Sequence, residues 1–356
     1  MEEGTVAVVG ATGFTGRLVV AALRGRGTPV RTIGRNRQKL EALAAAHPGV
    51  EVRAVEWTAT DIADALRGCA AVVSCAGPFI QAGYPVAEAA VRARVPYTDS
   101  TGEQPFIRWV FDDLAQPARA AGVPLVPAAG FDYLPGDLGA ALVARDMGPL
   151  ERIDVVYAVE SGSTTRGTRL SALGIAAGES MSLQDGRLQP MRMGSLRRAV
   201  EVPWGRVTGG LIPGGEPLQI PRHVDVATVH GYLALPGAMG PSSPGAGLVG
   251  SALRLPGAMR VVRRFARNGA EGPDEKQRQS RIAVHVQASA RDGARRALLL
   301  EGRDVYGYTA DALSELALRL AAGIDATGPC APAEVVDPAE FLATTGFSVR
   351  EVSPEA

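Results

Sequence analysis

The 356-residue sequence predicts an α/β chain, with a doubly wound parallel sheet in its N-terminal part and a second α/β part built on a mixed or antiparallel sheet. Three observations lead there. Short apolar runs alternate with segments of helical spacing through residues 1–130, and a glycine-rich turn separates the first run from the first helical segment. Beyond residue 150 the strand-like segments lengthen and alternate. Regular strand–helix alternation gives a parallel sheet covered on both faces, with ligands at the carboxyl ends of its strands.

Each element follows from its own pattern. Residues 5–9, TVAVV, form the continuous apolar run of a strand buried on both faces, and residues 17–24, RLVVAALR, have helical spacing. Residues 29–33 and 50–56 read as the second and third strands, with a helix over 61–66. A fourth strand over 70–75 ends at Ala76-Gly77-Pro78, a helix follows over 86–93, and a fifth strand over 96–99 leads to Ser100-Thr101-Gly102-Glu103. One helix over 106–121 and a sixth strand over 124–127 complete this part. In the second part, 152–160 alternates as a strand does, and 163–182 has a Ser/Thr-rich entry followed by helical spacing. Residues 281–288 and 296–301 form a hairpin around Asp292-Gly293, and helices are expected over 310–324 and 338–345. Three regions result, 1–130, 131–308 and 309–356.

The glycine-rich turn reads Gly10-Ala11-Thr12-Gly13-Phe14-Thr15-Gly16, between a strand and a helix, which is the setting a dinucleotide fingerprint requires. Gly10 permits the tight turn, Gly13 lets backbone approach a pyrophosphate at the helix N-terminus, and Gly16 lets the helix pack closely. The spacing is GxxGxxG instead of GxGxxG, so the flanking strand and helix carry much of the argument. After the second strand comes Gly34-Arg35-Asn36-Arg37, with no acid before Glu41. An acid there would accept from a ribose 2′-hydroxyl; a guanidinium suits a 2′-phosphate and stacks on adenine. The expected cofactor is therefore NADPH (or NADP+), held by residues 10–16, by Arg35, Asn36 and Arg37, and by Ala76, Gly77 and Pro78.

Bulk properties exclude several classes. Thirty-seven basic residues balance 37 acidic ones, so no field favours nucleic acid. No stretch reaches the roughly 20 uninterrupted apolar residues of a membrane helix, and MEEGTVAVVG lacks the form of a signal peptide. Cys69, Cys75 and Cys330 are too scattered for a disulfide framework or a CxxC site, and no HExxH spacing occurs, so no metal is implied and a cytoplasmic setting is expected. The only lysines are Lys39 and Lys276, and neither lies four positions after a tyrosine, which argues against a short-chain dehydrogenase.

With these residues in view, the sequence resembles the saccharopine dehydrogenase-like oxidoreductases, in the branch that includes the trans-acting enoyl reductases. The carrying segments are GATGFTGRL, GRN–R–KL, CAGPF, YTDSTGE and GFDYLPGDLG (130–139), followed by SGSTTRGT and GYTADA. The resemblance implies a nicotinamide cofactor, an N-terminal Rossmann domain over 1–130 that binds the dinucleotide, a second α/β domain over 131–308 for substrate, and C-terminal helices over 309–356 that return toward the first. The family's saccharopine-converting members use a lysine–histidine pair, the lysine lying after the fourth strand. Here AGPFIQAGYP has neither residue, which argues against saccharopine as substrate.

Hydride transfer needs an electrophilic carbon held against the nicotinamide and a proton donor nearby. Asp99 and Glu103 follow the fifth strand, and Asp132 and Tyr133 occupy the Gly-Phe-Asp-Tyr-Leu-Pro turn. Each has a structural reading beside the catalytic one, in capping or in loop hydrogen bonds. Asp137 reads as a capping or orienting residue, Cys75 as a small core residue, and His223 and His230 as structural residues flanking a strand. The expected activity is NADPH-dependent reduction of a C=N, C=C or C=O bond in a small or carrier-bound metabolite, with a homo-oligomer compatible with that class. The alternatives are a non-catalytic NADP(H)-binding sensor and an isomerase using the cofactor transiently. The Pro-, Gly- and Ser-rich stretch 235–259 is expected to be a lid or a linker.

Overall fold

The computed structural model describes residues 4–161, 165, 169, 180–235, 272, 274 and 278–355. In chain order the N-terminal elements are β1 (Val6–Val9), α1 (Phe14–Gly25), β2 (Val30–Gly34), α2 (Arg37–Ala46), β3 (Glu51–Ala54), α3 (Ala59–Leu66), β4 (Ala71–Ser74), α4 (Phe79–Ala82), α5 (Tyr84–Ala93), β5 (Tyr97–Asp99), α6 (Gln104–Asp112), α7 (Ala115–Ala121) and β6 (Pro124–Val126). Then follow α8 (Leu134–Val143), β7 (Leu150–Val159), β8 (Ser180–Gln184), β9 (Arg187–Met191), β10 (Arg197–Val202), β11 (Gly205–Leu211), α9 (Glu216–Gln219), β12 (Val226–Ala234), β13 (Arg281–Ala290) and β14 (Arg295–Arg303). The chain closes with α10 (Val305–Ala322), β15 (Gly328–Pro329), α11 (Pro338–Thr344) and β16 (Ser348–Val352).

Two compact units emerge: Met1–Phe131 with Tyr306–Cys330, and Asp132–Val305 with Ala331–Ala356. In the first, seven described strands form a parallel sheet in the order β15-β6-β5-β4-β1-β2-β3. β1 thus lies between β2 and β4, and the order reverses there. All four residues of β1 are buried, as their unbroken apolar run predicts. Helix α1 buries Gly16, Val19, Val20 and Leu23, one stripe at i, i+3, i+4 and i+7. Each buried valine or leucine contributes about 1.5–3 kcal/mol.

The second unit holds a mixed sheet of nine described strands. Its main path is β10-β11-β12-β7-β13-β14-β16, with β8 and β9 joined at β12. β7 and β12 are parallel, whereas β13 pairs antiparallel with β7 and β14. Helix α8 packs on this sheet through Gly136 and Gly139, where an added Cβ would collide with Tyr157 and Val286. The hairpin expected around Asp292-Gly293 is the β13–β14 turn.

Three expectations change. The single helix over 106–121 is broken into α6 and α7, because Pro117 has no N–H for the Asp113 carbonyl and its ring crowds that oxygen. His230 lies within β12 instead of flanking it. Residues 180–182, read as the end of a helix, begin strand β8, because the type I′ turn at Asp185 (φ +50°) and Gly186 (φ +74°) folds β8 onto β9. The rest of the 163–182 helix, apart from Thr165 and Arg169, and the 235–259 segment beyond Leu235 lie outside the described residues. No helix among the described residues is long and apolar enough to cross a membrane.

Candidate cofactor and active site

At the reversal of strand order, the loops leaving β1 and β4 meet. Gly10 has φ +78°, and a Cβ on it would lie 2.8 Å from the Ala76 nitrogen and the Cys75 carbonyl carbon. A side chain is excluded twice there, by conformation and by contact. Gly13 donates its N–H to the Gly10 carbonyl at 3.0 Å, and a Cβ on Gly16 would meet the Gly10 carbonyl and the Ala11 backbone. Arg17 Nη1 reaches back to the Thr12 carbonyl at 2.8 Å and fixes the loop from the helix side. No side chain caps α1, and its first turn has no acid. N–H groups at such a terminus, together with the helix dipole, favour an anion. Ala11 is buried, while Thr12, Gly13, Phe14 and Thr15 keep some exposure. The loop thus fits the pyrophosphate of a dinucleotide.

At the end of β2, Asn36 caps α2 by accepting the Lys39 N–H at 2.9 Å, which fixes the backbone between two arginines. Arg37 lies 3.7 Å from Glu41 with both side chains well exposed, a pairing of small energetic weight. Arg35 instead places its guanidinium carbon 5.3 Å from the centroid of the Trp57 ring. Sequence reasoning missed Trp57; it lies beyond β3, and nothing in its local pattern marks it.

Ala76 and Pro78 are partly exposed and Gly77 is exposed, in the loop that abuts Gly10. The following helix α4 presents the N–H groups of Phe79 and Ile80 to the buried Glu103 carboxylate, at 2.8 and 3.1 Å. Glu103 is therefore placed as an acceptor at a helix N-terminus. Asp99 is fully buried, and its Oδ1 accepts the N–H groups of Thr101 (2.8 Å) and Ala128 (2.9 Å). It ties the loops after β5 and β6 together, and it holds Ala128 at φ +59°. Desolvation pushes its carboxyl up to about 6, against the lowering effect of those donors. Cys75 is half-buried, and desolvation drives its thiol up to about 12, so it is no ready thiolate.

In the second unit, Tyr133 is buried with its ring against Gly214 and Gly215, and its hydroxyl lies 3.5 Å from the Pro213 carbonyl. Asp132 is exposed at the surface, and desolvation by the surrounding protein pushes its carboxyl up to about 6. Asp137 is fully buried, bonded to His223 Nε2 at 2.7 Å and accepting the Ala333 N–H at 2.8 Å. Burial is the largest single influence on His223 and lowers it, but the charge and hydrogen bond of Asp137 together with the charge of Glu334 outweigh it and raise the imidazole. Asp137 thus orients, as its sequence context suggests, and His223 acquires a partner that no spacing rule revealed. Glu216 is fully buried and confined by Gly214 and Gly231, and burial raises it to about 8 against the lowering effect of the Tyr157 hydroxyl. It too was missed.

The fold and the loop at its strand-order reversal define a dinucleotide-binding class. Residues 10–105 match the family model described as NAD(P)H-binding. A protein of Mycobacterium tuberculosis, named provisionally as a trans-acting enoyl reductase, is 31% identical over 183 residues, covering 48% of this chain and 44% of that protein. A saccharopine dehydrogenase-like oxidoreductase of Bos taurus is 29% identical over 175 residues, covering 44% of this chain and 41% of its own. The chain thus spans less than half the length of these curated relatives. Among solved structures, apo saccharopine dehydrogenase (L-Glu forming) of Saccharomyces cerevisiae superposes with a TM-score of 0.60 at 14% identity, covering 98% of this chain and 100% of that one, which shows the shared fold. These relatives bear out the resemblance to the saccharopine dehydrogenase-like oxidoreductases, enoyl reductases included, that the sequence motifs carry.

Proposed function

We propose that the chain is an NADPH-dependent reductase acting on a C=C, C=N or C=O bond of a small or carrier-bound metabolite other than saccharopine. The observation that carries this reading is the uncapped α1 terminus behind Gly10 and Gly16, whose Cβ positions are blocked by backbone. In this reading the unit Met1–Phe131 with Tyr306–Cys330 holds the cofactor, and the unit Asp132–Val305 with Ala331–Ala356 supplies substrate contacts. The nicotinamide, when bound, supplies a hydride. The chain's own residues hold and orient it: N–H groups of the α1 first turn receive the pyrophosphate, Ala76, Gly77 and Pro78 line the loop from β4, and Arg35 receives the 2′-phosphate. Asn36 and Arg37 complete the adenosine side.

For proton delivery, Asp132 is best placed among the four candidates. Its carboxyl keeps solvent access, whereas Glu103 and Asp99 are engaged by backbone N–H groups and Tyr133 is packed against a glycine turn. The names of the relatives favour a C=C bond. The absence of lysine and histidine from residues 76–85 supports a substrate other than saccharopine. A cytoplasmic enzyme, with a homo-oligomer compatible, completes the reading.

Calorimetry with NADPH and NADH, followed by NADPH oxidation on a panel of enones, imines and acyl thioesters, tests it. Binding of NADPH with turnover on one class is expected. Arg35→Ala should weaken NADPH by about ten- to a hundredfold, as loss of a charged hydrogen bond does, and spare NADH. Tight binding without turnover on every class would overturn the reductase reading.

A further inference from the structure

We propose that Trp57 is a specificity-determining residue for the cofactor: its indole holds the Arg35 guanidinium in place and leaves its charge uncompensated for a ribose 2′-phosphate. The proposal rests on the NADPH reading above. Neighbouring arginines are differently bound. Arg31 and Arg53 both reach Glu51, Arg67 reaches Asp64, and Arg37 approaches Glu41. Among the described residues no carboxylate pairs with Arg35; the neutral face of Trp57 lies 5.3 Å from its guanidinium carbon.

The contrast within the same chain is informative. Arg281 also stacks on an indole, at 5.4 Å from the Trp204 ring, but Glu160 grips it with both carboxylate oxygens. That arrangement neutralises the cation and suits a structural role. At Arg35 the cation is steadied without being neutralised. A π face attracts one side of the planar guanidinium and leaves its N–H edge free to bond phosphate oxygens.

Trp57 is itself anchored. Its Nε1 donates to the Ala82 carbonyl at 3.1 Å, and its ring packs against the core of the first unit. Ala82 ends α4, whose first N–H groups are accepted by Glu103, so the platform is tied into the β4 loop. A long arginine side chain loses rotamer freedom when it grips a ligand, and a platform that restricts it beforehand reduces that loss. NADH lacks the 2′-phosphate and gains nothing from the arrangement.

The test is calorimetric Kd for NADPH and for NADH on the full chain, comparing wild type, Trp57→Leu, Trp57→Phe, Arg35→Ala and the double variant Trp57→Leu/Arg35→Ala. Trp57→Leu should weaken NADPH about fivefold and leave NADH unchanged, consistent with an exposed cation–π contact. Trp57→Phe, which keeps a weaker π face, should lose about twofold for NADPH alone. The double variant should match Arg35→Ala, because the indole acts through the guanidinium. Equal weakening of both nucleotides, or full additivity in the double variant, overturns the proposal. Should Trp57→Leu fail to fold, Trp57→Phe decides by the same criterion: loss for NADPH alone supports, and an unchanged or equally shifted pair overturns. A wild type without preference for NADPH would overturn the underlying reading as well, whereas a preference left undiminished by loss of the indole overturns this proposal alone.

Discussion

Glu103 gives its two carboxylate oxygens to the N–H groups of Phe79 and Ile80, and Asp99 gives one to Thr101 and Ala128. Among the described residues no backbone N–H engages Asp132 in this way, and it remains exposed. The difference sets a direct comparison. Glu103→Gln keeps one acceptor at the α4 terminus, so a stability loss of about 1–2 kcal/mol is expected, with kcat within a few-fold of wild type. Asp132→Asn should lower kcat by about 10²–10⁴, the usual contribution of general acid–base catalysis, with NADPH affinity and thermal stability unchanged. Steady-state kinetics beside thermal melts reads both. A normal kcat in Asp132→Asn would transfer the proton role to another group. The sequence located these acids at strand ends but did not reveal which of them already held backbone N–H groups. That depends on partners 24 and 29 positions away.

At the scale of elements, the β1–turn–α1 unit was legible to within three residues at each boundary, the largest shift being the start of α1 at Phe14 instead of Arg17. Its signals are local: an unbroken apolar run, glycines at fixed spacing, and a helical stripe. Gly10→Ala puts a Cβ at φ +78° and against the Cys75 and Ala76 backbone. A left-handed residue with that contact costs about 1–3 kcal/mol, and displacing the loop should also abolish detectable NADPH binding. Thermal melts and calorimetry check this, and a variant with wild-type affinity would refute the close-approach account. The β8–β9 hairpin was legible too, in principle, because Asp185-Gly186 between alternating segments is a strong turn signal. The helical spacing over 163–182 overlaps only the hairpin's first three residues, 180–182, and stops short of that turn. The α6–α7 break likewise follows from Pro117, a local cue outweighed by the helical spacing around it.

For the whole molecule, the buried Glu216 links folding to pH. Its carboxyl is raised to about 8 by burial, far above its ordinary value in an unfolded chain. Between those two values the folded state binds a proton that the unfolded state has released, so stability falls as pH rises through that window. The stabilisation is complete in acid and lost above about 8. Glu216→Gln keeps the shape and removes the titration. Its melting temperature relative to wild type should therefore rise from pH 5 to about pH 8 and level off above that. Parallel curves for the two proteins across that range would rule out a neutral buried acid.

What the sequence alone determined is the alternation that makes a parallel sheet, the glycine spacing of the turn between β1 and α1, and the missing acid beside Arg35. All are properties of spacing and residue type along the chain, where sterics and periodicity act over a few residues. Only the tertiary structure decided that Trp57 lies under Arg35, that Asp137 meets His223, and that Glu216 is enclosed by Gly214 and Gly231. Those juxtapositions arise when non-adjacent elements pack, and burial then sets the charge state of groups whose local sequence is unremarked.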